Sequence, residues 1–152
     1  MNVNESPCGG FFEELSTVIQ VGNAMDRNSD ESPYGQELIV DVHNVSYLFT
    51  RFRITDFCIR LCEIIEMERG DLFFWDYKGD KEEYNNAPAH LKGISAVQFI
   101  KTSNITIHSL DELKRLYLNI FSCKPFETSV VRGLVERRIG GDIVNFQEIT
   151  RV

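Results

Sequence analysis

The sequence predicts an α+β two-layer sandwich, with a mainly antiparallel sheet and two main helices. Two observations carry this. Five or six strand-like runs accompany two helical ones, and several of the strand runs follow one another directly, as antiparallel neighbours do.

Residues 1–36 stand apart from the rest. "FFEELSTVIQV" can form a short amphipathic helix, but "GNAMDRNSDESPYGQ" is polar and rich in Gly, Asn, Ser and Pro, a composition that cannot bury enough surface to order itself. The region is expected to be a flexible extension ahead of a domain at 37–152. In that domain "ELIVDVHNV" is a β-branched run bounded by polar residues, the first strand. "TDFCIRLCEIIEMERGD" places Phe57, Leu61, Cys62 and Ile65 at helical spacing, with Thr50 or Thr55 as cap and Gly70 as stop. Cys58 and Cys62 share a face of this helix. No His or acid completes a metal-ligand set with them, so they read as small buried core residues.

"DLFFWDYK" is the second strand. Residues 78–93 are too polar and too rich in Asn and Pro for regular structure, and such a long surface loop is a candidate lid. "ISAVQFIK" and "SNITIH" follow as strands, then a turn at "SLDELKR" and the strand "LYLNIFSC". Pro125 is expected to start a helix in "PFETSVVRGLVERR", and "DIVNFQEITR" closes the domain after Gly140 and Gly141.

Strand alternation sorts the side chains of two runs. Ile105 and Ile107 share one face, and Asn104, Thr106 and His108 the other. Leu116, Leu118 and Ile120 share one face, and Tyr117, Asn119, Phe121 and Cys123 the other. The aliphatic faces belong under helices. The second faces suit either a lined cleft or subunit interface, or the wet face of an antiparallel sheet. A His and a Cys on one face also make a plausible proton-transfer pair, since both titrate within reach of neutral pH.

Composition narrows the partners. Sixteen basic against twenty-three acidic residues give a charge of −7, without a Lys/Arg block, which argues against nucleic acid. No apolar run is long enough to span a bilayer and the N-terminus has no signal-peptide pattern, so no membrane association and a cytoplasmic location are expected. The four cysteines form no CxxC pair; reduced thiols are the expectation.

The stretch "KGISAVQFIKTSNITIHSLDELKRLYLNIFSC", residues 92–123, resembles the central motif of prokaryotic-type S-adenosylmethionine decarboxylases, G-V-S-G-x-x-x-x-x-E-S-H-x-S-I-H followed by F-T-C. The match needs no gaps. "ELIVDVHN" and "GGDIVNFQEITR" are similar to that family's first and last strands. The resemblance implies a pyruvoyl enzyme, whose electrophilic carbonyl forms a Schiff base with the substrate amine and serves as electron sink. By residue, Ser103 matches the serine that becomes the pyruvoyl group, with scission between Thr102 and Ser103. His108 matches the histidine that takes the α-proton during processing, Ser95 the serine that assists it, and Cys123 the cysteine that returns a proton to the substrate.

Thr102 stands where the family has Glu, Asn104 where it has His, and "SLDE" where it has "TWPE". The attacked carbonyl is backbone, so Thr102 keeps the reacting atoms; Asn104 removes a titratable group beside the cofactor. The implied substrate is S-adenosylmethionine, for spermidine synthesis, with arginine or ornithine as alternatives and an unprocessed regulatory relative as a different class. Adenine calls for a stacking aromatic, available at Phe73, Phe74, Trp75, Tyr117 and Phe121. The resemblance also implies a homodimer with active sites near its interface.

Overall fold

A computed structural model describes residues 33–77 and 79–152. The helix expected in residues 11–21 lies outside the described residues. Six strands form one sheet: β1 (Gly35–His43), β2 (Arg69–Trp75), β3 (Gly93–Ile100), β4 (Ser103–Leu110), β5 (Arg115–Ser122) and β6 (Asp142–Arg151). Their order is β2-β3-β4-β5-β1-β6, and every pairing is antiparallel. Helices α1 (Arg51–Ile64) and α3 (Thr128–Arg138) are the two main ones, and a short α2 (Lys81–Asn86) stands between β2 and β3. This is the two-layer α+β sandwich that the sequence predicts.

The core follows from the alternation. Leu38, Val40, Ile105, Leu116, Leu118 and Ile120 are almost wholly buried and cluster with Ile54 and Leu61 of α1 and Val131 and Val135 of α3. Each such side chain contributes about 1.5–3 kcal/mol on leaving water, which holds the helices to one face and leaves the other open. Cys58 and Cys62 are buried in this core as expected, and burial pushes their thiols up to about 12 and about 11.

Helix ends differ from expectation for local reasons. Thr50 caps α1, its hydroxyl accepting from the Arg53 amide at 3.2 Å. The stop comes before Gly70: Glu66 takes φ 53°, with its own N–H on Glu63 O and the Met67 N–H on Cys62 O. That is a Schellman closure with Glu in the place glycine usually fills, and Gly70 lies in β2 instead. Pro125 precedes α3 rather than starting it. The Phe126 backbone is tied to β1 by the Gln36 side chain, N–H to Oε1 at 2.9 Å and Nε2 to O at 3.1 Å, so the helix waits for its cap, Glu127. Residues 78–93 are not wholly irregular either. Asp80 caps α2 by accepting from the Glu83 amide at 2.9 Å, and the Asp-x-x-Glu spacing at 80–83 was the signal for it.

Candidate active site

β3 and β4 form a tight hairpin in which Ile100 faces Ser103 and Ser95 faces His108. The four residues singled out in the sequence fall into two pairs. At one end of β4, Ser103 lies beside Cys123: the Cys123 N–H donates to Ser103 Oγ at 3.1 Å, and that hydroxyl lies 3.7 Å from Sγ. At the other end, Ser95 Oγ is 2.7 Å from His108 Nδ1. Positions 103 and 108 are separated by about 16 Å at the usual strand rise, so the chain brings Ser103 to Cys123 and Ser95 to His108 but does not bring the two pairs to each other.

Ser103 is buried at the head of β4, following a turn whose second residue, Thr102, has φ 63°. The Thr102 hydroxyl donates to Lys101 O at 2.6 Å and lies 2.8 Å from Cys123 Sγ. With that proton on the carbonyl, the thiol donates to Oγ1; if the thiol ionises, the hydroxyl can turn to the sulfur. Hydrogen bonds from Thr102, and then from Ser103, lower the Cys123 pKa below its ordinary value. From the sequence, Thr102 is assigned only the scissile carbonyl. Its contact with Cys123 depends on the turn, and no spacing rule anticipates it.

At the far end the ladder is regular. Gly93 opens β3 so close to β4 that an added Cβ would stand 1.7 Å from Ser109 O, so glycine is required for the register that sets Ser95 against His108. The His108 ring stacks on Tyr117, centroids 6.5 Å apart. α2 flanks this end, the Tyr84 hydroxyl donating to Asp111 Oδ2 at 3.0 Å.

The open face carries Ser95 and His108, whereas Ser103 is in step with the buried Ile105 and Ile107 of β4. Phe73, Trp75 and Phe99 are half-exposed there, Phe73 edge-on to Phe99. Phe74 points to the helix side and packs against the core. Phe121 and Phe99 both face Asn104, across the β4–β5 and β3–β4 ladders, which makes them the aromatics nearest in register to Ser103. Next to Phe121 in the β1 register is Glu37. Asn119, hydrogen-bonded to its carboxylate at 2.7 Å, holds Glu37 below the usual carboxylate range, with help from Arg151.

Among the described residues no helix is long and apolar enough to cross a membrane. A comparison with curated proteins returned no match. Among solved structures, the adenosylmethionine decarboxylase of Aquifex aeolicus VF5 superimposes with a TM-score of 0.62 at 11% identity, over 79% of this chain and 92% of that one; at this identity the likeness speaks for the fold. The family described as S-adenosylmethionine decarboxylase matches residues 36–152, which takes in all but the first residue of the sheet and the three helices of the described residues, and the chain therefore belongs to the S-adenosylmethionine decarboxylase family.

Proposed function

We propose that this protein is a self-processing, pyruvoyl-dependent decarboxylase that acts on S-adenosylmethionine in the cytoplasm, for polyamine synthesis. The observation that carries the reading is the Ser103 hydroxyl seated against the amide and thiol of Cys123, in a chain of this family.

In processing, Ser103 Oγ attacks the Thr102 carbonyl carbon. The C–N bond breaks, and Thr102 is left esterified to Oγ. Removal of the Ser103 α-proton then breaks the Cβ–Oγ bond, Thr102 departs as a carboxylate, and water replaces the nitrogen, released as ammonia, to leave a pyruvoyl group at the head of β4. The residues present fit that group: the hydroxyl that forms it opens β4 next to the thiol. Once formed, it supplies an electrophilic carbonyl that accepts electrons as CO2 leaves. Cys123, hydrogen-bonded to Thr102 in the uncut chain, then delivers a proton from its thiol to the substrate α-carbon. Phe121 is the proposed adenine platform, and the net charge of −7 modestly favours a cationic substrate.

The base for the α-proton is His108, oriented by Ser95. Because some 16 Å of strand separates His108 from Ser103 in one chain, the proposal includes a homodimer in which open faces pack together and His108 of one protomer serves Ser103 of its partner. The half-exposed Phe73, Trp75 and Phe99 suit such a covered face.

Intact mass spectrometry of the purified protein tests the reading. Fragments 1–102 and 103–152, the second with a pyruvoyl mass at its head, are expected, together with CO2 release from S-adenosylmethionine in preference to arginine or ornithine. A single full-length mass after prolonged incubation would refute the reading.

A further inference from the structure

Ile100 and Ser103 are paired, so Lys101 and Thr102 alone join β3 to β4. Of these two, only Thr102 has positive φ, at 63°. Positive φ at the second turn position alone is the type II pattern, which asks for Gly or Asn there and whose twist opposes that of hairpin strands. A β-branched residue is among the worst fitted to it, because its Cβ crowds the following carbonyl.

The described ladders hold both ends of the turn. The β3–β4 ladder runs without a register shift from Gly93 and Leu110 to Ile100 and Ser103, β5 holds β4 from its other side, and the Thr102 hydroxyl is engaged by Lys101 O and Cys123 Sγ. The misfit falls on the residue whose carbonyl carbon Ser103 attacks.

We propose that the Lys101–Thr102 turn is loaded: the left-handed backbone at Thr102 raises the energy of the uncut chain and is released in the first step of cleavage. The inference rests on the self-processing reading above. The acyl shift forms a bond from the Thr102 carbonyl carbon to Ser103 Oγ and breaks the one to the Ser103 nitrogen, which gains the hydroxyl proton. The covalent path between the strands thereby lengthens by one atom, Oγ and Cβ taking the place of the Ser103 nitrogen, and the two-residue constraint is loosened. Strain at a reacting residue is then ground-state destabilisation, with relief already under way in the transition state.

The test follows cleavage of the full chain by intact mass against time after refolding, with folding checked by circular dichroism. Thr102→Gly removes the misfit and is expected to cut roughly tenfold more slowly than wild type, the factor such strain is worth. A glycine inserted between Lys101 and Thr102 keeps Thr102 and its hydroxyl but frees the turn, and should slow cutting similarly. Thr102→Val keeps the β-branch without the hydroxyl and should cut faster than Thr102→Gly. A Gly variant or an insertion that keeps pace with wild type overturns the loaded turn while leaving self-processing intact. So does a Val variant as slow as the Gly one, which would assign the effect to the hydroxyl. An uncut wild-type chain removes the inference together with the function it rests on.

Discussion

Ser103 and Cys123 meet beside a strained turn on the rim of the sheet, whereas Ser95 and His108 face each other across an undistorted ladder. The first pair gains its character from backbone geometry: a left-handed threonine, a buried serine and a thiol whose pKa is lowered by neighbouring hydroxyls. The second gains it from register alone, through Gly93 and the pairing of Ser95 with His108. In the proposed reaction one end of β4 supplies the atoms that react and the other a group that moves protons. Two half-sites at opposite ends of one strand are what a symmetric pair of copies can join into two whole ones.

Variants can break the two ends separately. Ser103→Ala should abolish cleavage altogether, leaving one full-length mass. His108→Ala should slow it by about 10²–10⁴, the usual contribution of a general base, without altering the fold seen by circular dichroism. Gly93→Ala pushes β3 away from Ser109 and should destabilise the domain by about 1–3 kcal/mol in urea unfolding, slowing cleavage through the His108 end while Cys123 reactivity is unchanged. The smallest effect concerns the thiol. In the uncut His108→Ala chain, alkylation mapped by peptide mass should strike Cys123 well before Cys62 and Cys58, whose pKa values lie at about 11 and about 12, because the thiolate is the nucleophile and a lowered pKa populates it at lower pH. Adding Thr102→Val to the His108→Ala chain removes the leading cause of that lowering, so its Cys123 alkylation profile should move to higher pH.

Much of this was legible in the sequence where one period governs. The faces of β4 and β5 follow from alternation, so Ile105, Leu118 and Ile120 in the core and His108 and Tyr117 on the open face could be read directly. The helix ends were harder because the residues that close them break preference. Glu66 takes a glycine's conformation, and the extended segment after Pro125 is held by Gln36, remote in sequence. The separation of the half-sites was within reach: once the chain turns at Lys101–Thr102, antiparallel register sets Ser95 opposite His108 and away from Ser103. The strain at Thr102 was not, since a Lys-Thr dipeptide carries no turn signal.

The joining of the two ends across protomers is tested most directly by mixing. Ser103→Ala and His108→Ala chains, with distinguishable tags, are co-expressed and purified together as well as alone. In a mixed dimer one site is whole, with Ser103 from the His108→Ala chain and His108 from the other. The predicted result is that the His108→Ala chain is cut at Thr102–Ser103 far faster in the mixture than alone, with the Ser103→Ala chain intact throughout. A His108→Ala chain cut no faster in verified mixed dimers than by itself would contradict the account.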